Sequence, residues 1–582
     1  MSEGLLPALR RLYRQFSRRR RIQLLLVAAL TLASALSELV TIGAVVPFLA
    51  LVADPDMAGR LPVFGDLFTR LGWTGSNLLL PACVLFGTVA VVAAAARLLL
   101  VWASQKYVYR LGHDIGMEVY RRTLYQPYVH HISRNSSALI ADVEKVEAVI
   151  RGILMPLLHL ATSAVIAVFL LAGLLALDAR VALIAVAGFG GLYLVLSFIM
   201  RHRLRANSRV IAAARAQRVK AVQEGLGAIR DVLIDQAQPV YLRKFARIDA
   251  GYRDAQTANA FIGTAPRYVL EATAMLLFAG MAFVLTRGPG GLADALPVLG
   301  AAALGGQRLL PLLQTIYNGW AQIAGNRHNL LDVLAVLALS LPPAEPLGVR
   351  SGRRLPFESG ITLENVGYSY SIDSKPVLRG IDVTIPKGSR IGIMGKTGSG
   401  KTTLMDLVMG LLSPTEGTIR IDHVELTPPD VGSWQARIAH VPQAIYLADA
   451  SIAENIAFGV DPSKIDHGRV RAAALGAAVA DFIESLPVQY ETIVGERGIR
   501  LSGGQRQRVA ISRALYRDAD VIVLDEATSA LDYETESSVM KSVEALNDRT
   551  TIFVVAHRPS TLDLCDIVIT LGAGEILSIS QK

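Results

Sequence analysis

The stretch Gly395-Lys396-Thr397-Gly398-Ser399-Gly400-Lys401-Thr402 stands between two segments of different character. Before it, Arg390-Ile391-Gly392-Ile393-Met394 reads as a strand; after it, Leu404-Met405-Asp406-Leu407-Val408 reads as a helix. Strand, glycine-rich loop and helix together hold nucleotide phosphates. Glycines let successive backbone N–H groups face one concavity, and the helix N-terminus adds partial positive charge. Lys401 is placed to reach the β/γ-phosphates, and the Thr402 hydroxyl to ligate Mg²⁺, with Thr403 in the same turn. ATP and Mg²⁺ are therefore the expected cofactors.

A second element belongs with this loop. Val521-Ile522-Val523-Leu524-Asp525-Glu526 is an apolar run ending in two carboxylates. A buried strand of this kind brings Asp525 to its C-terminal edge, where it can hold Mg²⁺ or a water on it. Glu526 then faces the γ-phosphate and can polarise the attacking water.

Composition places the rest. Of 582 residues, 52% are hydrophobic and only 18% charged, below the quarter normal for soluble domains. The apolar excess lies before residue 330. Net charge is +9, but the arginines cluster beside hydrophobic spans, which suits a membrane orientation signal better than nucleic-acid binding. The two cysteines, Cys83 and Cys565, form no metal or disulfide pattern.

Arg10, Arg11, Arg14 and Arg18 to Arg21 precede the first apolar run, which is too long for a signal-peptide core. It reads as an uncleaved span with a cytoplasmic N-terminus. Six spans of about 20 residues or more are expected: 22–52, 78–102, 153–177, 181–200, 268–285 and 295–320. Segment 53–77, the turn Asp178-Ala179-Arg180 and segment 286–294 belong outside. The two Arg-rich connections, 103–152 and 201–267, read as helices continuing into the cytoplasm, and both chain ends lie inside. A Pro-rich linker follows at Leu341-Pro342-Pro343, and after Phe357 short strands at 361–370, 383–386, 390–394, 418–421, 438–441, 521–524, 551–555 and 567–570 alternate with helices. The expected division is a membrane domain over 1–330, a linker over 331–357 and an α/β nucleotide-binding domain over 358–582.

Leu501-Ser502-Gly503-Gly504-Gln505, followed by Arg506-Gln507-Arg508-Val509-Ala510, resembles the signature motif of ATP-binding cassette ATPases. Other parts match in order. Tyr370 matches the aromatic that stacks on adenine, and Gln443 the Q-loop glutamine that senses Mg²⁺. Gly495-Glu496-Arg497-Gly498 is similar to the segment exporters carry before the signature. Ser529-Ala530-Leu531-Asp532 matches the D-loop, and His557 the switch histidine. Six spans followed by one cassette is the half-transporter arrangement of ABC exporters. That resemblance implies a second copy, with head-to-tail cassettes closing each nucleotide between one phosphate loop and the partner's signature. Intact Glu526 and His557 favour a homodimer over a heterodimer. It also implies short coupling helices near 126–137 and 228–239.

Cargo must be read from the membrane half, where ionisable residues are costly and mark function. Arg97, Arg267 and Arg308 come from three spans and could meet one anionic headgroup, with Glu38 grouped beside them. Competing readings are snorkelling for Arg97 and an i,i+4 pair of Arg267 with Glu271. Ser37-Glu38 with Pro47-Phe48, Pro266-Arg267-Tyr268-Val269-Leu270-Glu271, and Arg308 near Pro311 look like the branch of bacterial exporters that flip lipid-linked oligosaccharides. An external amphipathic helix over 61–71 would fit it too. The resemblance implies a polyprenyl-diphosphate-linked glycan moved across a bacterial cytoplasmic membrane; the alternative is a multidrug, general lipid or lipid A exporter.

Overall fold

The structure is a computed structural model that describes residues 4–53, 79–177, 187, 190–286, 291–341, 355–371, 375–525, 550–555 and 565–581. The chain divides into two compact units, one of Met1–Gln126 with Ser133–Pro342, the other of Pro127–Ile132 with Pro343–Lys582.

The regular elements described in the first unit are all helices. In chain order it contains α1 (Leu5–Arg14), α2 (Arg18–Ala53) and α3 (Leu79–Leu124), while α4 (Tyr128–Ile132) falls in the second unit. Then follow α5 (Ser136–Val149), a π-helical turn (Ile150–Leu154), α6 (Met155–Leu177), α7 (Gly191–Gly227), α8 (Ile229–Ile234), α9 (Gln238–Thr286), α10 (Gly291–Gly325) and α11 (Arg327–Leu337). At 1.5 Å per residue the 46 residues of α3 run about 70 Å, more than twice the hydrocarbon thickness of a bilayer. Its second half, from Gln105 onward, is polar, so the span continues beyond the bilayer as the composition predicts. Among the described residues three helices are long and apolar enough to cross a membrane, within Arg18–Thr41, Leu80–Leu124 and Ser137–Gly173. Of the other expected spans, 268–285 and 295–320 lie within helices α9 and α10, while part of 181–200 lies outside the described residues.

Helical periodicity fixes the packing. Ala8 and Leu12 of α1, four apart, are buried with Tyr107, Leu111 and Ile115 of α3 and Leu330 and Leu334 of α11. A second core gathers Tyr193 of α7, Ile262 and Leu270 of α9, and Tyr317 and Ala321 of α10, the two tyrosine rings stacking at 5.0 Å. The start of the expected linker, 331–337, is helix, because Val333, Leu334, Val336 and Leu337 are buried in the first core. The π-helical turn has no sequence signature. Gly112 faces it, where a Cβ would lie 2.2 Å from Ile150 Cδ1. Short helices α4 and α8 occupy the two expected coupling positions.

The second unit carries two sheets. Strands β1 (Gly360–Tyr368), β2 (Leu378–Pro386), β4 (Glu416–Ile421) and β5 (Val424–Glu425) form an antiparallel sheet in the order β2-β1-β4-β5. Strands β3 (Arg390–Gly395), β6 (Ile438–Val441), β7 (Val521–Asp525), β8 (Thr551–Val555), β9 (Ile567–Gly572) and β10 (Glu575–Gln581) form the other, in the order β10-β9-β3-β8-β7-β6. All its pairings are parallel except β10 on β9. Parallel strands covered on both faces read as unbroken apolar runs; Ile391, Ile393, Val521 and Val523 are fully buried. Among the described residues, the unit also carries helices α12 (Lys401–Val408), α13 (Val431–Gln435), α14 (Ile452–Ile456), α15 (His467–Gly476), α16 (Ala480–Glu484) and α17 (Gly503–Tyr516). Trp434 of α13 is wholly buried and donates its indole N–H to Val408 O at 2.8 Å, anchoring α13 to the end of α12.

Strands β5 and β10 were not expected. The turn into β10, Ala573-Gly574, has both φ values positive, the signature of a tight hairpin. Most of β10 is exposed, which removes the apolar alternation that marks a strand.

Candidate functional site

Sheet register assembles the nucleotide site. Ile393 of β3 and Asp525 of β7 both pair with Val555 of β8, so Asp525 sits level with Ile393, two strands across. At about 4.8 Å per strand the two positions are roughly 10 Å apart laterally. Val441 of β6 pairs with Leu524, so Gln443 leaves the same edge one strand further on. The phosphate loop, Asp525 and Gln443 thus share the C-terminal edge of one parallel sheet, the usual place for a ligand in such folds.

The loop itself is shaped for close approach. A Cβ at Gly395 would lie 2.5 Å from Leu571 O, and one at Gly400, where φ is +100°, would lie 2.6 Å from Leu378 Cδ2. Gly400 caps α12, so the first N–H groups of that helix open into the loop. Lys401 is 9% exposed and donates from Nζ to Gly395 O at 2.7 Å and Lys396 O at 3.2 Å, so its ammonium is held inside the loop. The Ser399 hydroxyl is buried there without a hydrogen-bond partner. A buried donor without a partner, a ring of open N–H groups and an ammonium form a donor set that fits a polyphosphate.

The cation side also fits. Asp406, one turn past Thr402 on α12, is 7% exposed. Burial, and then the charge of Asp525, pushes its carboxyl up to about 6. Two acids that repel at the end of a phosphate loop suit a site completed by Mg²⁺, for which Thr402 and Asp525 supply hard oxygen ligands. Asp406 escaped the sequence reading; its signal was an acid in the otherwise apolar turn Leu404-Met405-Asp406-Leu407-Val408.

Tyr370 lies two residues beyond β1 and is 44% exposed, which argues against a core role and leaves a ring face open for a base. It stands edge-on to Tyr368 at 5.0 Å, and its hydroxyl is 3.1 Å from Thr403 Oγ1, tying the ring to the phosphate loop. Ser502 is the N-cap of α17. Its Oγ accepts from Gln505 N at 3.2 Å while Gln505 Oε1 accepts from Ser502 N at 2.8 Å. This capping box uses the hydroxyl lone pair within the chain, and leaves Gly503 and Gly504 at the open start of the helix. Glu526, Ser529 to Asp532 and His557 lie outside the described residues, as do the turn at 178–180 and the segment 61–71.

In the helical unit, three of the four candidate residues converge. Glu38 of α2 is 6% exposed. Arg308 of α10 reaches its Oε1 at 2.7 Å, and Arg97 of α3 its Oε2 at 3.1 Å. Both guanidinium groups are nearly half exposed, so each keeps donors for another anion. Arg267 is not part of this cluster. Its Nε binds Glu271 at 2.7 Å one turn along α9, and both side chains are exposed. The shared three-arginine cavity is therefore corrected to two arginines bridged by one glutamate, because the local i,i+4 carboxylate captures Arg267.

Residues 378–529 match the family model described as ABC transporter, and residues 25–288 the model of the ABC transporter transmembrane region. The chain is 32% identical to the ATP-dependent lipid A-core flippase of Burkholderia orbicola over 449 residues, which cover 76% of this chain and 72% of that protein. It is 30% identical to the ATP-dependent lipid A-core flippase of Alkalilimnicola ehrlichii over 517 residues, covering 86% and 84%. In fold it resembles a bacterial Atm1-family ABC exporter solved with ATP bound, with a TM-score of 0.75, 24% identity, and 97% and 95% of the two chains covered. A helical transmembrane unit fused to an ATP-binding cassette, with matches to both models and to flippases along most of their length, is an ATPase coupled to transmembrane transport: the chain belongs to the ABC transporter family.

Proposed function

We propose that the chain is one half of a homodimeric flippase that uses ATP and Mg²⁺ to move a phosphorylated glycolipid across a bacterial cytoplasmic membrane. The observation that carries this reading is the Arg97–Glu38–Arg308 cluster. Helices α2, α3 and α10 bring two cations to one buried acid, for a local formal charge of +1. Glu38 pre-orients both forks, and their remaining donors suit a phosphate. The names of the relatives favour a lipid A-type cargo over the lipid-linked oligosaccharide that the short sequence matches suggested. Both cargo classes carry sugar-linked phosphate, so the cluster alone serves either.

In the cassette, Gly395 to Thr403 would hold the phosphates, Tyr370 would stack on the base, and Thr402, Gln443 and Asp525 would hold Mg²⁺, which would supply positive charge to the phosphoryl group being transferred. Glu526 polarises the attacking water, and His557 contacts the γ-phosphate. Ser502 to Gln505 and Asp532 close over the nucleotide of the second copy.

The test is reconstitution of the full chain in vesicles carrying either lipid A or a polyprenyl-diphosphate oligosaccharide. ATP-dependent flipping of lipid A is expected, reduced about tenfold in the Arg97→Ala/Arg308→Ala double variant, as for the loss of charge-assisted hydrogen bonds. Flipping of the oligosaccharide lipid alone would restore the other cargo, and wild-type flipping by the double variant would remove the cluster from cargo recognition.

A further inference from the structure

A cavity of about 510 Å³ lies in the helical unit between the start of α1, the first half of α7 and the junction of α10 with α11. Three arginines line it: Arg201 and Arg205, one turn apart on α7, and Arg327, the first residue of α11. The remaining wall is mainly apolar, with Leu194 and Phe198 of α7 and Trp320 of α10. The lining contains no acidic residue. Among the described residues, none of the three arginines is paired with a carboxylate. Arg327 is only 8% exposed, and its Nε is buried with no hydrogen-bond partner.

Two other largely buried cations of the unit are matched. Arg20 binds Asp114 through Nε at 2.6 Å and Nη2 at 2.9 Å, and Lys145 bridges Asp142 at 2.9 Å and Asp332 at 2.8 Å. The cavity is different in gathering like charges. Desolvation, and then the charges of Arg201 and Arg327, hold the Arg205 guanidinium below its ordinary pKa. A buried, unmatched cation is costly, and an anion in the cavity removes that cost.

The wall sets the class of anion. Leu194 is 74% exposed and Phe198 82% exposed, and Arg201 follows Phe198 within one turn. An apolar outer face passing directly into arginine marks the level where acyl chains meet headgroups. Guanidinium forks take phosphate bidentately. We propose that this cavity binds the phosphate of an anionic lipid, with its acyl chains along Leu194 and Phe198. The site shares no residue with the Glu38 cluster and does not depend on which cargo the transporter moves. Its lipid could be a phospholipid of the surrounding leaflet or a cargo molecule on its way in; the phosphate chemistry is the same.

Native mass spectrometry of the purified full chain, titrated separately with phosphatidylglycerol, lipid A and phosphatidylcholine, tests it. Arg201→Gln/Arg205→Gln changes two exposed side chains, so the fold is retained, and Arg327→Lys probes the buried position. The double variant is expected to lose at least about tenfold in apparent affinity for phosphatidylglycerol, with phosphatidylcholine unchanged. A loss seen with lipid A but not phosphatidylglycerol assigns the site to cargo. Arg243→Gln/Arg247→Gln, also one turn apart and exposed but on α9, controls for net charge. Equal losses in this control, or unchanged affinity for both anionic lipids in the cavity variant, overturn the proposal.

Discussion

The cassette and the helical unit store their chemistry differently. In the cassette, eight consecutive residues, Gly395 to Thr402, supply much of a phosphate site from backbone and one lysine. Sheet register then delivers Asp525 and Gln443 to the same edge. In the helical unit, Arg308 meets Glu38 across 270 residues of sequence, and only side chains take part. A backbone-built site must keep its glycines and spacing, so it can be recognised as a word. A site built from distant side chains has no such constraint, and it appears only once helices are packed.

This contrast is most directly broken at the cassette. Lys401→Ala and Glu526→Gln are each expected to lower ATP turnover by about a hundredfold or more, as for loss of a group that stabilises transition-state charge or positions water. Turnover within a few-fold of wild type in phosphate-release assays would mean that the short motifs do not carry the chemistry. In the helical unit, Glu38→Gln leaves Arg97 and Arg308 facing each other without their bridge. Cargo flipping should fall about tenfold, and stability by about 1–3 kcal/mol, since removing one partner of a buried ion group strands the others. A calorimetric melt and a flipping assay on the same preparation measure both; an unchanged melt would show that the bridge is dispensable.

A smaller effect concerns Asp406. Its carboxyl, pushed up to about 6 by burial and by Asp525, keeps its proton in the folded cassette at pH values where the unfolded chain, near 3.9, has released it. The folded state therefore binds more protons between about pH 4 and 6, and stability falls as pH rises through that window. Asp406→Asn should raise the nucleotide-free melting temperature at pH 7.5, by the equivalent of about 1–3 kcal/mol, with the gain vanishing near pH 4. A pH-independent difference would refute the titration. Smallest of all, Arg267→Ala breaks an exposed i,i+4 pair worth about 0.3–0.5 kcal/mol, and flipping should stay within about twofold. A large loss there would return Arg267 to the cargo site.

The fold was legible where burial imposes a period. Val521 to Leu524 and Ile391 to Ile393 are packed on both faces and spell apolar runs, so their strands were read to within a residue or two. Strand β10 was missed because an exposed edge strand need not alternate. The helix at 331–337 was hidden behind Pro342-Pro343, which marked the end of the helical unit but not its last turns. Loop tips were legible as positions, and α4 and α8 lie there. Within the sites, Glu38, Arg97 and Arg308 stood out singly as charges in apolar runs, but which cation takes which acid depends on helix rotation. Arg201 and Arg205 were read as part of a basic connection, since nothing in sequence places Arg327 beside them.

The capping box at the start of α17 has a consequence for the timing of transport. The side chains of Ser502 and Gln505 accept from each other's backbone N–H before any nucleotide arrives. The first turn of that helix is thus rigid in the single chain, and its ordering entropy is settled during folding. In the dimer proposed here, nucleotide would meet a finished surface. Free energy released as the two cassettes clamp it could then go into moving the long helices rather than into building the clamp.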